Sequence, residues 1–305
     1  MDNDFYKAFE DKHRGSRELI KSRLNSYLPF VNLIKEEYEH SQAIDLGCGR
    51  GEWLELLNEQ GGFEARGVDL DKGMLDVCEK HGLQYKQQDA LTCLNSLADE
   101  SQALVTGFHL AEHIPFTDLQ ALVKQALRVL KPAGLLILET PNPENITVGT
   151  SEFYMDPTHS NPLPPHLLKF LPDYYGFQQT KIIRLQEDKT LICHSKVTLL
   201  NVLKGVSPDY AVVAKKSAKK QILGRFQSVF QKDYGVTLEL LAGNYDREAK
   251  DNEGRLLAAE ERMLAAEAKT QEATQRIALL LSSSSWRYTK PFRWLMVQLK
   301  KLLGR

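Results

Sequence analysis

The sequence predicts an α/β fold: a doubly wound, mostly parallel sheet of seven strands, followed by a C-terminal helical and coiled-coil extension. Three observations predict it. From 43 to 140 short apolar runs alternate with helical stretches, the rhythm of parallel strands joined by crossover helices. Ala43-Ile44-Asp45-Leu46 runs into Gly47-Cys48-Gly49-Arg50-Gly51-Glu52-Trp53, which reads as a strand, a tight turn and a helix start. Ala65-Arg66-Gly67-Val68 then ends in Asp69-Leu70-Asp71, which puts an acid at the tip of a second strand.

Glycines at 47, 49 and 51 let the backbone adopt positive φ and approach a ligand closely. The free N–H groups of the helix start favour a negative or hydrogen-bond-accepting group. A dinucleotide fingerprint wants its third glycine one residue later, where Glu52 stands and would repel a pyrophosphate. Asp45 instead suits a ligand with a cationic end. Asp69 lies 18 residues beyond Gly51, the place from which an acid grips a ribose diol.

Taken in order, residues 1–38 read as helical. Strands follow near 43–46, 65–69, 84–88, 103–107 and 134–139, and helices near 51–60, 72–80 and 117–131. The last helix has Thr117 as its expected cap, with Leu119, Leu122, Val123, Leu127 and Leu130 at helical spacing. Residues 140–177 form a long, proline-rich polar stretch, and such loops usually carry function or are disordered. Strands near 180–185 and 210–215 complete the sheet. Residues 186–209 stay ambiguous, with 197–203 open to strand or helix. Ligands of open α/β sheets sit at the carboxyl ends of strands, where Gly47, Asp69, Asp89 and His109 fall.

Composition changes after 216. Residues 217–234 pattern as an amphipathic helix, and a second helix is expected near 236–250. Leu256, Ala259, Met263, Ala266, Thr270, Ala273, Ile277 and Leu280 fit heptad a and d positions, with alanines weakening the seam. A coiled coil joining chains and a single surface helix both fit this stretch. After Ser282-Ser283-Ser284-Ser285, the last 20 residues hold six basic residues, two tryptophans and no acid. Phe292, Leu295, Met296, Leu299, Leu302 and Leu303 recur on one face, the pattern of a helix lying on a membrane surface. A helix docking on a protein partner is the other reading.

The 305 residues, 42% hydrophobic, suffice for one core domain plus appendages, and a net charge of −1 gives no bulk attraction to nucleic acid. Four scattered cysteines (48, 78, 93, 193) without a CxxC pair suit reduced thiols, and no metal is expected. The acidic start Met1-Asp2-Asn3-Asp4 does not read as a signal peptide, and no apolar run approaches the ~20 residues of a membrane span. The expected location is cytoplasmic, peripheral on the inner face of the inner membrane.

The glycine turn and the acid-tipped second strand resemble the class I S-adenosylmethionine-dependent methyltransferases. Their first motif reads acid-x-Gly-x-Gly-x-Gly. Gln88-Asp89-Ala90 is similar to the family's adenine-contacting acid. The stretch Leu104 to Ile114 resembles its fourth strand and following loop, and Leu130 to Glu139 its turn into the fifth strand. The likeness covers roughly residues 40–215 and implies a Rossmann-like methyltransferase fold and S-adenosylmethionine as cofactor. The phrase Phe5-Tyr6-Lys7-Ala8-Phe9-Glu10, then Arg14-Gly15-Ser16-Arg17-Glu18, resembles a branch acting in bacterial O-antigen, lipopolysaccharide and other polysaccharide assembly, including chain-terminating enzymes. So does Asp156-Pro157-Thr158-His159. That branch often has Arg where Lys7 stands.

The resemblance implies domains at 1–38 (helical lid) and 39–216 (methyltransferase), and the patterning beyond them gives 217–250 (helical connector), 251–281 (coiled coil) and 286–305 (membrane-binding helix). The resemblance also implies cofactor contacts from Tyr6, Arg14, Arg23, Asp45, Gly47, Gly49, Gly51, Asp69, Leu70, Asp89, Ala90, His109 and Leu110. Arg17 is a further candidate for the cofactor carboxylate.

Methyl transfer is an in-line displacement in which orientation supplies much of the acceleration. A hydroxyl acceptor needs a base, usually His, whereas a phosphate needs a positioning cation. His109, His159 and Glu112 are the catalytic candidates. His113 reads as structural, and His166 as a surface or cap residue.

The expected reaction is methyl transfer to a sugar hydroxyl or terminal phosphate of a surface polysaccharide or its lipid-linked precursor. Expected partners are the glycan, the membrane surface, a glycosyltransferase and a second copy through the coil. The alternatives are a non-catalytic scaffold for glycosyltransferases and a methyltransferase for a small lipid such as a quinone. No kinase motif set appears.

Overall fold

The computed structural model describes residues 15–191, 196–219 and 224–302. The chain divides into two compact units, residues 1–245 and 246–305.

In the first unit, α1 (Arg17–Leu24) and α2 (Leu28–Glu37) precede the sheet, separated by a short 3-10 turn. Then come β1 (Ser41–Leu46), α3 (Glu52–Gln60), β2 (Phe63–Asp69), α4 (Lys72–Lys80), β3 (Gln84–Gln87), α5 (Ala90–Ser96), β4 (Gln102–Phe108), α6 (Phe116–Val129) and β5 (Leu130–Pro141). They are followed by α7 (Ile146–Thr150), α8 (Pro165–Tyr175), β6 (Gln179–Leu185), α9 (Leu199–Lys204), β7 (Asp209–Lys215) and α10 (Gln227–Gln231). Among the described residues the sheet has seven strands in the order β3-β2-β1-β4-β5-β7-β6. The first five run parallel, and β7 lies antiparallel between β5 and β6.

This topology follows from sequence pattern. β4 and β5 are buried along nearly their whole length, as central strands covered on both faces must be. Helices α2, α3 and α4 cover one face through Phe30, Val31, Ile34, Trp53, Leu54, Leu57 and Leu75. Helices α6 and α8 cover the other through Leu119, Leu122, Val123, Leu168 and Leu171. Residues 17–37 are therefore part of the core. Tyr27 is fully buried, with its ring against Trp53 and Phe108 at centroid distances of 6.1 and 5.2 Å.

Several local expectations are corrected. Thr117 does not cap α6: the helix begins at Phe116 behind Pro115, and no side chain caps it. Leu130 is not in that helix but opens β5, with a register irregularity opposite Gln102 and Leu104. The stretch 217–234 is not one helix, since residues 216–219 are irregular and α10 spans only Gln227–Gln231. The 140–177 stretch is structured by α7, a 3-10 turn (Glu152–Met155) and α8, and 199–204 resolves to helix. The helix α5 has no counterpart among the expected helices.

In the C-terminal part of the chain, α11 (Leu238–Ser282) is a single 45-residue helix that takes in the heptad stretch. Ser283 ends it and caps α12 (Ser284–Tyr288), its hydroxyl accepting from Trp286 N–H; α13 (Lys290–Leu302) follows. Among the described residues no helix is long and apolar enough to cross a membrane.

Candidate active site

The glycine turn between β1 and α3 forms as its residues require. Gly47, Gly49 and Gly51 have φ of +69°, +53° and +77°, values that an L side chain adopts only under strain. A Cβ on Gly47 would stand 3.3 Å from Leu110, and one on Gly51 only 2.5 Å from Leu83. The turn hangs from the neighbouring strand: the Gly47 and Cys48 N–H groups donate to the Val68 carbonyl at 2.8 and 3.0 Å.

Asp69 holds this turn directly. One carboxylate oxygen accepts from Gly49 N–H at 2.8 Å, and the other from Asp71 N–H at 2.8 Å. Each oxygen keeps a second lone pair for a ligand hydroxyl. Beside it Leu70 stands 67% exposed, an apolar surface suited to a flat ring. Asp89 caps α5 by accepting from Thr92 N–H, and Ala90 is that helix's first residue. Asp45 is buried opposite Gly67 and Thr106, and accepts from the Thr106 hydroxyl at 2.6 Å.

Tyr6 and Arg14 lie outside the described residues. Arg17 is committed elsewhere: it donates to the Arg50 carbonyl at 2.7 Å and to Glu55 at 2.6 Å. Arg23 is exposed and borders a different feature, a cavity of about 250 Å³. Its wall includes Phe153, His159, Gln186 and Asp209. A smaller cavity, about 80 Å³, lies between α5 and the sheet, and no residue of the glycine turn lines it.

Between turn and cavity stands His109. It follows β4 directly at φ +52°, its N–H donating to the Glu139 carbonyl at 2.9 Å. Such strain in a non-glycine residue persists only where the surroundings enforce it. The following residue, Leu110, packs against Gly47. The His109 ring meets three carboxylates: Nδ1 lies 3.2 Å from Glu112, and Nε2 lies 3.3 Å from Glu139 and 4.0 Å from Asp209. Tyr27 and Gln186 donate to Glu139, and Thr140 donates to Glu112.

The titration behaviour follows from this crowding. Burial opposes a charge on His109, but the hydrogen bonds to Glu112 and Glu139 and the charge of Asp209 outweigh it and raise its pKa well above the usual imidazole range. The three carboxylates thus favour the protonated form of His109 over the neutral one a general base needs. Burial also opposes charge on Glu112, yet His109 and His113 keep its pKa below the ordinary value. Asp209 is pushed up to about 6, chiefly by burial and against the pull of His109. Tyr27 is raised well above its ordinary value by burial and by Glu139.

The sequence reading missed Asp209, Glu139, Gln186 and Tyr27. Only the antiparallel insertion of β7 beside β5 brings Asp209 opposite Pro141 and near Glu139. His159 sits apart from His109, beside His113 at 4.7 Å between ring centroids.

Residues 43–134 match the model of a methyltransferase domain. Over 70% of its length the chain is 34% identical to an S-adenosylmethionine-dependent methyltransferase of known structure from Archaeoglobus fulgidus, matching all of that chain with a TM-score of 0.61. This chain belongs to the class I S-adenosylmethionine-dependent methyltransferases. A protein from Pyrococcus horikoshii matches 71% of this methyltransferase and all of its own chain with a TM-score of 0.51 at 18% identity, a likeness of fold alone.

Two curated relatives resemble a shorter part of the methyltransferase. A ubiquinone biosynthesis O-methyltransferase of Idiomarina loihiensis is 35% identical over 106 residues, which is 33% of this chain and 42% of the relative. A demethylmenaquinone methyltransferase of Bacillus velezensis is 36% identical over 115 residues, 35% of this chain and 48% of the relative. The chain thus spans less than half the length of these relatives. The glycine cradle, all three residues at positive φ and Gly51 with no room for a Cβ, with an acid at the next strand tip, fits the family's cofactor.

Proposed function

We propose that this methyltransferase transfers the methyl group of S-adenosylmethionine to a hydroxyl oxygen of an acceptor held in the 250 Å³ cavity. The observation carrying this reading is Asp209, a carboxyl with its pKa near 6 on the wall of a cavity beside the His109 loop. A general base works best when its pKa lies near the working pH.

The cofactor supplies an electrophilic methyl on a sulfonium. Gly47, Gly49 and Gly51 would bring the backbone against it, Asp69 would hold the ribose hydroxyls, and Leu70, Asp89 and Ala90 would line the adenine. His109, fixed by Glu112 and Glu139, orients the loop whose Leu110 packs on Gly47. With the cofactor bound, the Asp209 carboxylate would take the proton of the acceptor hydroxyl as its oxygen receives the methyl that the sulfonium would supply. Arg23 and Gln186 on the same wall orient the acceptor.

For the acceptor, both relatives favour a quinone precursor over the polysaccharide read from the sequence, and the ubiquinone O-methyltransferase favours its hydroxyl. The polar lining from Arg23, Glu152, His159, Gln186 and Asp209 favours a hydroxyl-rich glycan instead. Labelled methyl transfer to a hydroxylated polyprenyl ring and to lipid-linked glycan fractions decides between them. Product from the ring alone supports the quinone reading, and product from the glycan alone supports the other. No product from either, with cofactor bound, contradicts O-methyl transfer.

We further propose that α13 lies on anionic membrane, where a lipid-linked acceptor resides, and that the 251–281 stretch of α11 pairs with a second copy. Phe292, Leu295, Met296, Leu299 and Leu302 are exposed on α13, and Leu256, Met263 and Ile277 on α11.

A further inference from the structure

We propose that Glu112, His113 and His159 form a binding site for a first-row divalent transition-metal ion at the edge of the acceptor cavity. One ligand atom from each of the three side chains lies within 4.8 Å of the others. Two imidazoles and a carboxylate are a borderline donor set suited to zinc, iron, cobalt or nickel and not to calcium.

The hydrogen bonds around both histidines prepare them as ligands. His159 Nδ1 lies 2.6 Å from the Phe153 carbonyl, which only accepts, so Nδ1 donates there and Nε2, 3.9 Å from Asp156 Oδ2, is the nitrogen left to bind an ion. The Thr158 hydroxyl lies 2.6 Å from Asp156 and gives its proton to that carboxylate. It therefore accepts from His113 Nδ1 at 2.9 Å, which again leaves the lone pair on Nε2. Metal-bound histidines are oriented in this way, the other ring N–H donating to a carbonyl or to a group held by a carboxylate. The segment is held in place by Ser160 N–H, which donates to the Glu112 carbonyl at 2.9 Å.

The neighbouring set, His109, Glu139 and Asp209, is a weaker candidate because its imidazole already holds a proton between carboxylates.

His159 also lines the acceptor cavity. Three protein ligands leave a coordination position open. A cation there lowers the pKa of an acceptor hydroxyl that reaches it, while Asp209, on the same cavity wall, takes the proton. The role given to the ion rests on the O-methyl-transfer reading, but binding of the ion does not.

The test uses the untagged full chain, stripped with chelator and titrated with Co²⁺ alone, read by visible d–d absorption. One equivalent is expected, with affinity at least 10-fold weaker in His113→Gln and His159→Gln and about 10- to 100-fold weaker in Thr158→Val. His166→Ala, on an exposed helix start, binds as the parent does. Absence of saturable binding, or unchanged spectra in both histidine variants, overturns the site. Should the variants fail to fold, the electron paramagnetic resonance of Cu²⁺ on the parent chain decides: hyperfine coupling to two nitrogens supports the site, and to fewer refutes it. Co²⁺ binding without S-adenosylhomocysteine binding would sink the methyl-transfer reading and leave the site standing. The reverse would remove the site alone.

Discussion

Asp209 and His109 meet in one cluster, in which the His109 side chain stays 45% exposed, and their pKa directions make separate predictions. Asp209 is raised to about 6, so it accepts a proton only above that pH. The rate of methyl transfer should rise with pH through about 6 and level off. Asp209→Asn should abolish that rise and lower the rate by about 100- to 10,000-fold. The sign for stability is the reverse. A carboxyl whose folded pKa lies above its unfolded value, ~4, holds its proton more tightly when folded, and the stability this gives is lost as pH rises from about 4 to 6. Asp209→Asn should therefore melt higher than the parent at pH 8 and no higher at pH 4. An unchanged rate profile in the variant would remove Asp209 from the proposed chemistry. Little of this was legible in the sequence. Asp209 and Gln186 are single polar residues far from any motif, and their place depends on how β6 and β7 insert. His109 and Glu112 were legible as candidates because they follow a strand end. That three carboxylates favour the protonated form of His109 was not, since Glu139 and Asp209 approach only through strand pairing.

At the scale of elements, the strand–turn–helix at 41–60 was readable because each glycine has a steric reason to be one. The same reasoning reaches Gly67, which faces the turn from β2. A Cβ there would lie 2.5 Å from Cys48 Sγ and 2.8 Å from Leu54. Gly67→Ala should cost about 1–3 kcal/mol in urea melts, with weaker cofactor binding because Cys48 lies within the turn. Gly254→Ala, with nothing within 4 Å on α11, should be neutral or stabilise by up to about 1 kcal/mol. Equal effects at the two positions would contradict the packing described. Where the pattern was weaker, reading failed. The Thr117 cap lost to Pro115, and α5, only seven residues long, gave too few periodic positions to see.

For the whole molecule, the heptad and tail patterns predict behaviour that no single site does. Lys300 and Lys301 sit in the last turn of α13, beneath an exposed apolar face. The full chain should co-sediment with anionic vesicles and less with neutral ones. Lys300→Ala with Lys301→Ala should weaken binding about 30-fold, from ~1 kcal/mol for each charge. Binding indifferent to lipid charge would contradict a membrane role for this helix. The sequence made both patterns visible because they are local and periodic. What they meet depends on other molecules, which no periodicity specifies.

The central claim is that the glycine turn and Asp69 together hold the adenosyl ligand. Calorimetric titration of the full chain with S-adenosylhomocysteine tests it most directly. One site is predicted, weakened at least about 10- to 100-fold in Asp69→Asn, which loses ribose hydrogen bonds to a charge and one of the two acceptors that hold the turn. No heat of binding, or tighter binding of a nicotinamide dinucleotide than of S-adenosylhomocysteine, would contradict it.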